Sequence, residues 1–120
     1  MSFSKEVILI TAGEPASISS EITIKAIERN KINRNIKPIV ITDLALIQEN
    51  KNLINSNIKI NEIKDIVKFS DYKNDYLNII SIKLNRKVEY GNPDPKNSSF
   101  VKLSIIKTIE IYKNSIASAI

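Results

Sequence analysis

Apolar residues in this chain fall into short β-branched runs, separated by stretches in which they recur every three or four positions. Val7 to Ile10 is the first such run, closed by Thr11, Ala12 and Gly13, as expected of a strand buried on both faces of a parallel sheet. After the Gly13-Glu14-Pro15 turn, the hydroxyls of Ser17, Ser19 and Ser20 can cap a helix whose first turn holds Glu21, predicted to run to about Asn30. Ile36 to Thr42 repeats the buried-strand pattern, and Asp43 behind it can cap a helix with Leu44, Ile47 and Ile54 on or near one face. Ile58 to Ile60 reads as a third short strand. Asn61 to Tyr76 has no sustained period and reads as a connection with a possible strand at Ile66 to Phe69, while Leu77 to Ile82 is strand-like again.

From Asn85 to Asn97 the chain is polar and punctuated by Gly91, Pro93 and Pro95, which predicts a loop shaped by proline. Asn97 or Ser98 can then cap a strong amphipathic helix, on which Val101, Ile105, Ile109 and Tyr112 recur at four- and three-residue steps with lysines between them. It is expected to stop at Asn114 to Ser115, and Ile116 to Ile120 opens another strand-like segment. Strands alternating with helices predict an α/β fold, a doubly wound, mainly parallel sheet with helices on both faces. The whole of 1–120 is read as one domain, incomplete because it ends inside a strand with no closing helix.

Composition removes more chemistry than it suggests. The 120 residues include no cysteine and no histidine, so no disulfide, thiolate zinc site, Ser-His-Asp triad or histidine-built metal centre can form from this chain alone. The formal charge of +5 comes from 18 basic and 13 acidic residues spread among Asn and Ile. The densest basic group, Lys31, Arg34 and Lys37, is interrupted by asparagines, so a solvated surface explains it better than a nucleic-acid face. No apolar run approaches the length of a membrane span and no signal-peptide pattern is present, so the expected location is cytoplasmic.

Two segments remain as candidates. The loop Gly13, Glu14, Pro15, Ala16, Ser17, Ile18, Ser19 lies between the first strand and first helix, where open α/β sheets bind ligands and helix N–H groups meet anions. It matches neither the dinucleotide fingerprint nor the phosphate-cradling loop, and a tight turn with Gly13 supplying backbone freedom is the competing account. The second is Gly91 to Ser98, a rigid entry into a capped helix. Its Asp94 has no second carboxylate at a spacing that would make an acid/base pair.

Together these segments resemble the 4-hydroxythreonine-4-phosphate dehydrogenase family. Residues 7 to 22 are similar to its opening strand followed by Gly-Asp/Glu-Pro-Ala-Gly-Ile-Gly-Pro-Glu, with Ser17 and Ser19 in place of glycines and Ser20 in place of proline. Residues 91 to 105 are similar to its Gly-x-x-x-x-x-Asn-Ala-x-x-Val-x-x-Ser-Leu/Ile segment, carried here by Gly91, Asn97, Val101, Ser104 and Ile105. The resemblance implies a fold similar to isocitrate and isopropylmalate dehydrogenases, of which this chain supplies the N-terminal portion. It implies a homodimeric, cytoplasmic oxidoreductase of pyridoxal phosphate (pyridoxine) biosynthesis. Such an enzyme oxidises 4-phosphooxy-L-threonine with NAD or NADP, a decarboxylation follows, and a divalent metal is bound. The family's metal-binding histidines and further substrate contacts lie downstream of the matched region, so the chain alone is expected to be inactive. The alternative drawn from the residues is a small, self-contained α/β module that binds phosphate or another anion without catalysis.

Overall fold

A computed structural model describes residues 6–29, 35–64, 71–114 and 117–120. Five strands form one sheet: β1 (Glu6–Thr11), β2 (Ile36–Thr42), β3 (Lys59–Glu62), β4 (Tyr76–Ser81) and β5 (Ala117–Ala119), in the spatial order β3-β4-β2-β1-β5. Every neighbouring pair is parallel. The α-helices among the described residues are α1 (Ser19–Arg29), α2 (Leu44–Leu53) and α3 (Ser98–Asn114). The segment at Ile66 to Phe69 lies outside the described residues.

Side chains alternate across a strand, and here both sets are apolar. Val7, Leu9, Ile39, Ile41, Ile80 and Ile82 form one core with Phe100 and Ile111 of α3. Val40, Leu77 and Ile79 form the other with Ile24 of α1 and Ile47 of α2, and Leu44 and Ile54 pack against it. Helices therefore cover both faces, as the β-branched runs require. Asp43 caps α2 by accepting from Leu46 N–H at 2.8 Å, and its other oxygen accepts from Leu84 N–H at 2.9 Å. One aspartate thus starts a helix and ties down the chain leaving β4. Beyond the end of α2, Asn55 takes φ 54°, a left-handed conformation that asparagine tolerates.

The amphipathic stripe of α3 does not face the sheet. Phe100, Ser104, Thr108 and Ile111 are the buried positions, while Ile105, Ile109 and Tyr112 are 47%, 42% and 42% exposed. The reason is close approach. Ser104 Oγ accepts from Ala12 N–H at 2.9 Å and donates to the Ile41 carbonyl at 3.4 Å, and Thr108 Oγ1 donates back to the Ser104 carbonyl at 2.6 Å. Small hydroxyl residues whose hydrogen bonds are satisfied can sit against strand ends where a larger apolar side chain would hold the helix away.

Candidate functional site

The chain leaves β1 toward β2 on one side, whereas α3 carries it back across the sheet to β5 on the other. β1 is therefore the point where strand order reverses, and the carboxyl end of such a strand is where open α/β sheets form ligand crevices. The residues that occupy it are those of the loop at 12–18, with the 91–97 loop lying beside them.

Glu14 organises this place. Its Oε1 accepts from Ala16 N–H at 2.9 Å and from Asn97 Nδ2 at 2.7 Å, a contact spanning 83 positions. Gly91 N–H donates to the Ala16 carbonyl at 2.8 Å, so two separate bonds clasp the loops together. Gly91 has φ +80°, in the region that favours glycine. Gly13 serves otherwise: its φ is not in that region, and a Cβ built on it would lie 3.1 Å from both Cβ and Oγ of Ser19. Its role is to make room, which corrects the expectation that it supplies backbone freedom.

The serines turn inward. Ser17 Oγ donates to the Glu14 carbonyl at 2.7 Å and accepts from Ser19 N–H at 3.2 Å. Ser19 Oγ stands 3.1 Å from Ser17 Oγ and 3.4 Å from the Glu14 carbonyl. Pro15, Ala16 and Ser20 are buried, whereas Ile18 is exposed. Ser17 thus completes the turn and accepts the first N–H of α1, which glycine could not do, whereas Ser19 and Ser20, expected as caps, are the first residues of the helix itself.

In the second loop, Asp94 Oδ1 accepts from Lys96 N–H at 2.9 Å to start a 3-10 turn at Pro95–Asn97, and Oδ2 pairs with Arg86 at 3.0 Å. The Lys96 N–H first, and then the Arg86 guanidinium, hold its carboxyl below the usual range. That is a structural assignment for Asp94. Asn97, 2% exposed, leaves its Oδ1 without a partner, and so does Arg86 Nη1. An open trough of about 760 Å³ starts at Glu14 and Asp94 and continues along Ser98, Val101, Lys102, Ile105 and Ile106. Away from the site, burial and the neighbouring Glu49 push the Tyr90 hydroxyl up to about 12, and burial with Asp75 nearby raises that of Tyr72.

All five sequence candidates, Gly13, Glu14, Pro15, Ser17 and Ser19, lie in one turn. The residue that sequence reasoning left out of the candidate site is Asn97, read as a cap and as the asparagine of the second matched segment. Its place in a matched motif far from Glu14 was the available signal. Among the described residues no three His, Cys, Asp or Glu side chains gather to hold a metal ion. Among the described residues no helix is long and apolar enough to cross a membrane.

No protein-family model matches this chain, and no curated protein matches it either. Solved structures do. A 4-hydroxythreonine-4-phosphate dehydrogenase from Burkholderia phymatum superposes with a TM-score of 0.79 at 19% identity, over 91% of this chain and 33% of that one. A Salmonella typhimurium protein given the same assignment provisionally superposes with a TM-score of 0.75 at 20% identity, over 92% and 34%. The chain therefore has the α/β fold of these dehydrogenase structures and spans about a third of their length.

Proposed function

We propose that these residues are the first α/β portion of a 4-hydroxythreonine-4-phosphate dehydrogenase, an oxidoreductase of pyridoxal phosphate biosynthesis acting on 4-phosphooxy-L-threonine with NAD or NADP. The observation that carries this reading is the Glu14–Asn97 clasp at 2.7 Å. It joins the two segments whose sequences resemble that family, at the strand end where a ligand crevice belongs. In this reading the chain supplies one wall of a crevice. Glu14 fixes the loop backbone, and Ser17 and Ser19 hold the entrance of α1. Proton transfer, metal binding and hydride transfer fall to groups outside the chain, and homodimer formation and a cytoplasmic location belong to the same proposal.

The competing reading, an anion-binding module, is disfavoured by the loop's own chemistry. The Glu14 carboxylate borders the trough, and the Ser17 hydroxyl is engaged inside the turn. Both work against a phosphate at that position.

An activity assay joined to gene sequencing tests the proposal. The coding sequence is expected to continue in frame past Ile120 into histidine-bearing segments. The long product should reduce NAD or NADP with 4-phosphooxy-L-threonine in the presence of a divalent metal, and the 120-residue chain should not. A stop codon directly after Ile120, or turnover by the short chain alone, overturns the reading.

A further inference from the structure

The outward stripe of α3 is the largest feature that the crevice leaves unexplained. At about 100° per residue, Val101, Ile105, Ile109 and Tyr112 fall within about 80° of one another, roughly a quarter turn from the sheet-facing Phe100, Ser104, Thr108 and Ile111. Ile106, 44% exposed, borders the stripe, and the trough starting at Glu14 runs along its first half. Lys102 and Lys113, both exposed, form a ridge along its outer edge. A contiguous apolar stripe left outside the core-facing side of a helix is the surface on which another element packs. α3 therefore has the composition of a helix covered twice.

A second copy of the chain paired antiparallel is a poor cover. Pairing two α3 stripes antiparallel about a two-fold axis brings both Lys102–Lys113 ridges to the same side of the seam, where like charges oppose. The solved neighbours offer a different source, since about two-thirds of their length lies beyond the part this chain matches.

We propose that the Val101–Ile105–Ile109–Tyr112 seam is a docking site for an amphipathic α-helix that carries apolar residues at the same steps and Asp or Glu along the edge facing Lys102 and Lys113. Assigning that helix to further sequence of the same polypeptide rests on the dehydrogenase reading. The recognition chemistry of the seam does not, so the two can fail separately.

The absence of cysteine makes a background-free test possible. In Ile109→Cys the single thiol sits on the exposed seam and should be alkylated rapidly by a fluorescent maleimide. Two synthetic helical peptides then serve as probes, identical in their apolar stripe and bearing either Glu or Lys along one edge. The Glu peptide is expected to slow alkylation roughly tenfold at saturation, with the effect weakening in salt, and the Lys peptide to do little. Lys102→Glu combined with Lys113→Glu should reverse the preference. Protection by neither peptide, or by both equally, overturns the proposal. Protection that appears on concentrating the chain without peptide assigns the seam to a second copy and overturns it as well. Tyr112→Cys repeats the measurement should Ile109→Cys alter the melting temperature.

Discussion

Glu14 holds two donors on one carboxylate oxygen, so its substitutions should separate charge from hydrogen bonding. Glu14→Gln keeps a carbonyl able to accept both and is expected to cost under about 1 kcal/mol, whereas Glu14→Ala strands two donors and should cost about 2–3 kcal/mol. Asn97→Asp sets a second carboxylate against Glu14. Its loss of stability should shrink on acidification, as one of the pair takes a proton. Urea titrations at neutral and acid pH read all three. Gly13 and Ser19 form a second pair: Gly13→Ala is expected to cost about 1 kcal/mol through the 3.1 Å contact with Ser19, and adding Ser19→Gly should recover part of it in a double-mutant cycle. Asp94 has a sign of its own. Its folded carboxyl titrates below the ordinary aspartate value, so its contribution is complete above about pH 4 and is lost as pH falls through the lower folded value. Asp94→Asn should therefore flatten the acid limb of the stability profile.

Each helix was legible as an element, and α2 also in its facing, since Ile47 lies in the core with Leu44 and Ile54 against it. α1 and α2 announce themselves by serines and an aspartate directly behind β-branched runs, and the caps at Ser17 and Asp43 follow. α3 was legible in its bounds but not in which stripe meets the sheet, because periodicity reports that a stripe is apolar and says nothing about what covers it. Ser104 and Thr108 look like surface residues in the sequence; only the positions of Ala12 and Ile41 reveal that Ser104 is a buried link. This inversion makes an opposed pair of expectations. Ser104→Leu, fully buried, should lower stability by about 2–3 kcal/mol through overpacking and a lost partner for Ala12 N–H. Ile105→Ser, on the exposed stripe, should stay within about 0.5 kcal/mol in the chain by itself. Thermal melts of the two variants decide whether the helix is seated as described.

Across the molecule, the strand runs that alternate with helical periods carried the fold class, since only a parallel sheet covered on both faces buries continuous β-branched segments. Strand order was not legible, because nothing local to Ala117–Ala119 says that this segment crosses the sheet to lie beside β1. The crevice was half legible: each loop is visible in the sequence, whereas their meeting through Glu14 and Asn97 depends on that crossing. The same arrangement constrains how the chain can come together in time. β1 precedes the other described strands in sequence, yet one of its edges pairs with β5, which follows them all, and the loop behind it is not clasped until Asn97 arrives. On a ribosome, β1, α1 and β2 can associate early, while the β5 edge of β1 stays open until Ala117–Ala119 have been made. Pairings between segments so far apart in sequence form slowly, so the exposed edge of β1 is the place where a newly made chain is most open to pairing with the wrong strand.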